Sequence, residues 1–233
     1  MIDHPMHDPI YRFYTTIPTI SIIVALWNCL FNDINDTIKD THTTQNIVNL
    51  IHASVVSILF SIMGAEEGHV AIWCLSCGFF INDIVVNVQL SLQQKKNPIW
   101  NPFIYHHLIA CYGIGLAYFG HHREVILTIL HYLELSNIFM YAWFISTKIY
   151  PTHTNLHIVL LHYQLMTYVP LRLFMFPTYL FVEHFNDFYH ASMHHQLSAM
   201  IIFTFGIIWS KELLNRCVDS IRQVRVVPTM IDL

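Results

Sequence analysis

The sequence predicts an all-α polytopic membrane helix bundle with about seven transmembrane helices. Three observations carry that reading. Hydrophobic residues are 55% of the 233 residues and charged residues only 11%. A soluble domain carries about 25% charged residues, so this chain has too few to cover a water-facing surface. Seven apolar runs are each long enough to cross roughly 30 Å of hydrocarbon. None alternates with a period of two, which sets aside a membrane barrel. The net charge of −4 sets aside a nucleic-acid partner.

The run near 10–31 follows only Arg12 and precedes no small-x-small site, so it reads as a retained first helix and not a signal peptide. The polar segment 32–47 reads as the one long loop. Runs near 48–64 and 103–119 are short spans; those near 70–92 and 123–148 have ordinary length. The run 155–183 contains Pro170 and Pro177 and reads as a single tilted or kinked helix. A last span lies near 195–214. The chain thus divides into an N-terminal helix and loop (1–47), a main transmembrane domain (48–214) and a short tail (215–233). Cys29, Cys74, Cys77 and Cys111 sit in apolar runs and read as small packing residues without a disulfide framework.

Seven spans put the termini on opposite sides. Arg12 and Arg123 fall on one side. Lys39, Lys95, Lys96, Lys148, Lys211, Arg216, Arg222 and Arg225 fall on the other. The positive-inside rule makes that second side, with the C-terminus, cytosolic.

Ionisable groups inside spans cost about 2.5–3.5 kcal/mol each on insertion scales, so they face the bundle interior and have a partner or a task. Here they are Asp83, His106, His107, His131, Glu134, His162 and Arg172, with His52 near a span end. Ser76, Asp83 and Asn87 share one helix face. His106 shares a face with Ala110, Gly113 and Ala117, a small-residue stripe that points it at a neighbouring helix. His131 and Glu134 share another face. A buried Arg172 calls for Asp83 or Glu134 as its ion-pair partner. The adjacent histidines beside an intramembrane Asp are the candidate catalytic group: His106, His107 and Asp83. His52, His131, Glu134, His162 and Arg172 form a substrate-binding or structural polar core.

Five segments, in this order, carry a resemblance: NLIHASVVSI, GFFINDIVVNV, NPFIYHHLIACYGI, ILHYLELSNIFM and VPLRLFMFP. Together they resemble the TLC-domain family, which contains ceramide synthases and translocation-associated membrane proteins, over roughly residues 48–214. The resemblance implies a multi-pass protein of the endoplasmic reticulum or another internal membrane. Ceramide synthases carry His-Asp-x-x-Asp before the Leu-Glu of the later helix. LHYLELS keeps His131 as the match and lacks both aspartates. That departure weighs against ceramide synthesis itself.

Three functions compete. The first is acyl transfer to a membrane lipid, with His as base or acylated nucleophile, no resident cofactor or metal, and acyl-coenzyme A as co-substrate. Lys95 and Lys96 would attract the carrier's phosphates or simply mark the cytosolic side. The second is a non-catalytic lipid-binding, lipid-homeostasis or trafficking protein on the same fold. The third is a di-iron hydroxylase or desaturase, suggested by His153 with His157 and by His190 with His194 and His195. The expected topology separates those two groups across the membrane, where they cannot share metals. His121 and His122 read as interfacial polar residues.

Overall fold

A computed structural model describes the backbone of residues 9–67, 69–119 and 123–226. His121 and His122 lie outside these residues, and the side chains of Arg12, Arg123, Arg222 and Arg225 lie outside those described. Among the described residues there is no strand. The long helices are α1 (Pro9–Ile38), α2 (Thr41–Glu67), α3 (His69–Gln93), α4 (Pro102–Phe119), α5 (Arg123–Ile149), α6 (Thr154–Val169) and α9 (Met193–Val226), with short α7 (Phe176–Thr178) and α8 (Phe185–His190) between the last two. Six stretches among the described residues are long and apolar enough to cross a membrane: Thr16–Ile38, Thr41–Gly64, Val70–Gln93, Glu124–Ile149, Thr154–Glu183 and Met193–Ser220. The short fourth run is the 18-residue helix α4. It lies antiparallel to α3, because Asn101 meets Asn87 and Ser91 while His107 meets Asp83 further back along α3.

The segment 32–47 is not a loop. It is helical except at Lys39 and Asp40. Lys39 turns into the left-handed region (φ 57°) and its N–H bonds the carbonyl of Asn35 at 2.7 Å, which closes α1. Asp40 then caps α2, accepting from the His42 N–H and the Thr43 hydroxyl. A closed helix end followed directly by a capped helix start needs only two residues. The polar composition belongs to helix ends that project beyond the apolar stretch. α9 likewise runs on past the expected span to Val226.

The run 155–183 is continuous, as expected. Its adaptation to proline is two π-helical turns, Pro170–Met175 and Tyr179–Glu183, on either side of α7. Proline lacks an N–H and its ring crowds the carbonyl four residues back. The wider π-turn admits one extra residue and relieves that crowding. Arg172 sits in the first π-turn, 1% exposed.

Helices α2, α3, α4, α9, α6 and α5 touch their neighbours in that order and close a ring, while α1 packs outside against α2 and α3. Trp27 and Phe31 of α1 join Val56, Trp73 and Phe79 in the largest apolar cluster. The approach is close at Gly78, where a Cβ would come within 2.5 Å of Ile23 Cγ2. The start of α2, the ends of α3 and α5, and the later half of α9 lie at one end of the ring. Lys39, Lys95, Lys96, Lys148, Lys211 and Arg216 gather there.

Candidate functional site

The basic end of the ring opens into a cavity of about 730 Å³. Volumes of about 300–1,000 Å³ are usual for small-ligand sites. Its mouth carries His42, Gln94, Lys96, Trp100, Glu212 and Arg216. Arg216 pairs with Glu212 at 3.0 Å and its guanidinium lies over the Trp143 ring. Deeper in, the walls carry Asp83, His106, His107, Asn137, Tyr141, Gln164 and Tyr168.

Asp83 is where three helices meet. Its Oδ2 lies 2.8 Å from Nδ1 of His107 on α4 and accepts from Asn87 Nδ2 at 2.8 Å. Its Oδ1 accepts from Gln45 Nε2 of α2 at 3.0 Å. Asn87 continues the polar line to Asn101, whose amide also donates to Ser91. The spacing of 83, 87 and 91 explains why one face of α3 carries the whole series. His107 stacks on Phe80. Its Nδ1 edge is buried against the carboxylate, though off the straight line of a hydrogen bond. The opposite edge, with Nε2, is therefore the one available to the cavity. A carboxylate at Nδ1 favours the proton there and leaves Nε2 as the basic nitrogen. His106 meets Trp209 and Phe205 of α9 edge-on, as its small-residue stripe predicts, and has no carboxylate at its buried Nδ1.

The rest of the polar core stands behind the cavity wall. His52 is fully buried, stacked on Phe79 at 3.8 Å, with Nε2 3.2 Å from Ser76 Oγ and Nδ1 3.6 Å from Glu134 Oε2. This group ties α2, α3 and α5 together and does not line the cavity. His131 also faces α2, stacked on Phe60. His162 turns back to its own helix, at 2.7 Å from the Ile158 carbonyl.

Arg172 overturns the expected ion pair. Neither Asp83 nor Glu134 holds it; each faces a histidine instead. Its Nε donates to Ser136 Oγ at 2.8 Å, and one terminal nitrogen donates to the Leu133 carbonyl at 3.1 Å and to Asn137 Oδ1 at 3.0 Å. The Tyr168 ring covers the guanidinium. Neutral oxygens and an aromatic face replace a carboxylate. They suit a group with five donors, whose charge three aligned acceptors and a ring face can stabilise.

His153 and His157 lie at the start of the 154–183 helix and His190, His194 and His195 beyond its end. Among the described residues, no three His, Cys, Asp or Glu side chains converge on one metal position. Residues that sequence reasoning passed over are Gln45, Asn137, Tyr141, Gln164 and Tyr168. Asn137 and Tyr141 follow Glu134 at helical spacing, and that spacing was the available signal.

A family model described as the TLC domain matches residues 12–215. The match includes α1, which the five resembling segments do not reach. No curated protein and no solved structure matches the chain significantly.

Proposed function

The chain belongs to the TLC-domain family, and from that premise we propose that this multi-pass membrane protein transfers an acyl group to a membrane lipid. The observation that supports it is the Asp83–His107 contact at the wall of a deep cavity open at the basic end. Nε2 of His107 takes the proton from an acceptor amine or hydroxyl. The freed nitrogen or oxygen attacks the carbonyl carbon of an acyl thioester. The carbon–sulfur bond then breaks, and the imidazolium returns its proton to the departing thiolate. The products are an amide or ester and a free thiol, so atoms and charge balance. Asp83 stabilises the imidazolium between the two transfers, and Gln45 and Asn87 hold the carboxylate in place.

Acyl-coenzyme A is the co-substrate this reading implies. Lys96 and Arg216 at the mouth suit its phosphates. The basic residues gathered at that end support a cytosolic mouth and C-terminus, and family membership supports an internal membrane such as the endoplasmic reticulum. His106, which lacks the carboxylate, contacts the ligand and does not act as the base.

The experiment is product formation from acyl-coenzyme A and bilayer acceptors in proteoliposomes, with lipid occupancy measured by intact mass. His107→Ala should lower turnover by about 10²–10⁴, the span of general-base catalysis, with lipid occupancy retained. Parent protein that holds lipid yet is inert with every donor and acceptor class would identify a lipid carrier instead.

A further inference from the structure

We propose that Asn137 donates its side-chain N–H to the carbonyl oxygen of the acyl ligand, and that Arg172 is the residue that aims it. The proposal rests on the acyl-transfer reading for its chemistry, but its geometry is independent. A guanidinium can only donate hydrogen bonds. The atom of Asn137 that meets Arg172 at 3.0 Å must therefore be the oxygen, Oδ1. That contact fixes which way round the amide lies. The Nδ2 group must point away from Arg172, and Asn137 is a wall residue of the cavity.

The wall is the right one. Helices α4 and α5 also touch each other, and His107 of the one and Asn137 of the other line the same cavity. Tyr141, one turn further along α5, lines the same wall. A carbonyl held between His107 and α5 thus meets an amide N–H, with a phenol hydroxyl one turn away. Donors placed where negative charge develops on oxygen accelerate acyl transfer most when they are fixed beforehand. Arg172 supplies that fixing. It is anchored to Ser136 and Leu133 as well, so the amide cannot turn over without losing its partner.

Asn137→Asp separates aiming from structure. The new carboxylate still accepts from Arg172, so the bundle should melt at or above the parent temperature. Only the donor is lost. With acyl-coenzyme A, kcat should fall by about 10²–10³, the usual effect of one such donor, while KM stays within about twofold. A second measurement does not need turnover. A long-chain methyl ketone, ¹³C-labelled at its carbonyl, is dissolved in the bilayer and followed by infrared difference spectroscopy. The bound carbonyl band should move to lower frequency in the parent and move back in Asn137→Asp and Asn137→Ala. An unshifted band in the parent, or a shift that survives both substitutions, overturns the proposal. Parent protein that shifts the band but turns nothing over keeps Asn137 as a carbonyl donor and sinks the acyl-transfer reading alone.

Discussion

The carboxylate of Asp83 lies 2.8 Å from Nδ1 of His107, and both side chains are almost entirely buried where α3 and α4 cross. His106, next in the chain, has no such carboxylate. The two histidines should therefore differ in substitution. His106→Ala should keep most turnover. Asp83→Asn should lose less than His107→Ala, because an amide can hold the ring by a hydrogen bond but cannot stabilise an imidazolium by charge. Equal losses at His106 and His107 in the proteoliposome assay would contradict the assignment.

Arg172→Leu should destabilise the bundle without stranding a carboxylate. It leaves Asn137 Oδ1 without its donor, while the Leu133 carbonyl and the Ser136 hydroxyl keep the bond between them at 2.7 Å. A buried polar group left unpaired costs about 1–3 kcal/mol, so a clear drop in thermal midpoint is expected. Glu134→Gln, by contrast, should not reproduce it. A matching loss in the Glu134 variant would restore the ion-pair explanation.

Gly78→Ala tests how α1 is held. The added methyl would meet Ile23 Cγ2 at 2.5 Å, and the next atoms behind it are the Ile23 Cβ and the Val24 backbone nitrogen. Overpacking of this kind costs about 1–3 kcal/mol. Protease sensitivity between α1 and α2 should rise, and Ile23→Ala in the same chain should reverse it in part, since the Cβ at 2.9 Å remains. A single variant as resistant as the parent would show that α1 is not seated there.

The Asp40 cap makes a small pH-dependent contribution. The Thr43 hydroxyl, the largest influence, holds the carboxyl below its ordinary value of 3.8; partial burial opposes this, and the His42 N–H and Lys148 assist. A depressed folded-state value means that the stability is present above pH 3.8 and fades as pH falls through the lower folded value. Thr43→Val should reduce this acid sensitivity and leave the midpoint near pH 3 less different from that at pH 7. Unchanged acid dependence would rule the cap out as its source.

Asn35-Asp36-Thr37 is the only glycosylation sequon in the chain, and it lies at the basic end of the ring. Synthesised into a eukaryotic secretory membrane, the chain should carry no glycan there, while a sequon appended before Met1 should be modified. A glycan at Asn35 would invert the orientation.

The residues on one face of α3 were legible because helical periodicity is a local property. Asp83 and Asn87 could be placed together from spacing alone, and so could the small stripe beneath His106. The partner of Arg172 was not legible. Sequence gives a residue's depth along a span but not which neighbour its helix turns toward, and the nearest carboxylates were already committed to histidines. The helical ends of α1 and α2 were hidden for a different reason. Polar residues look alike in a loop and in a helix that extends into water; the left-handed Lys39 and the Asp40 cap decide between them. Asn137 and Tyr141 were passed over because neutral polar residues in a bundle usually tie helices together, as Asn137 does through Arg172.

The helix from Thr154 to Glu183 carries more chain than its length requires, because each π-turn accommodates a residue that a regular helix would not. Deleting one residue just before Arg172 would let the first turn relax to the narrower helix and swing the guanidinium by about 100°, one residue's rotation. The bundle would then have a straighter strut whose charge has left its acceptors on α5. In this molecule the irregularity is a register mark, and the two prolines keep the count.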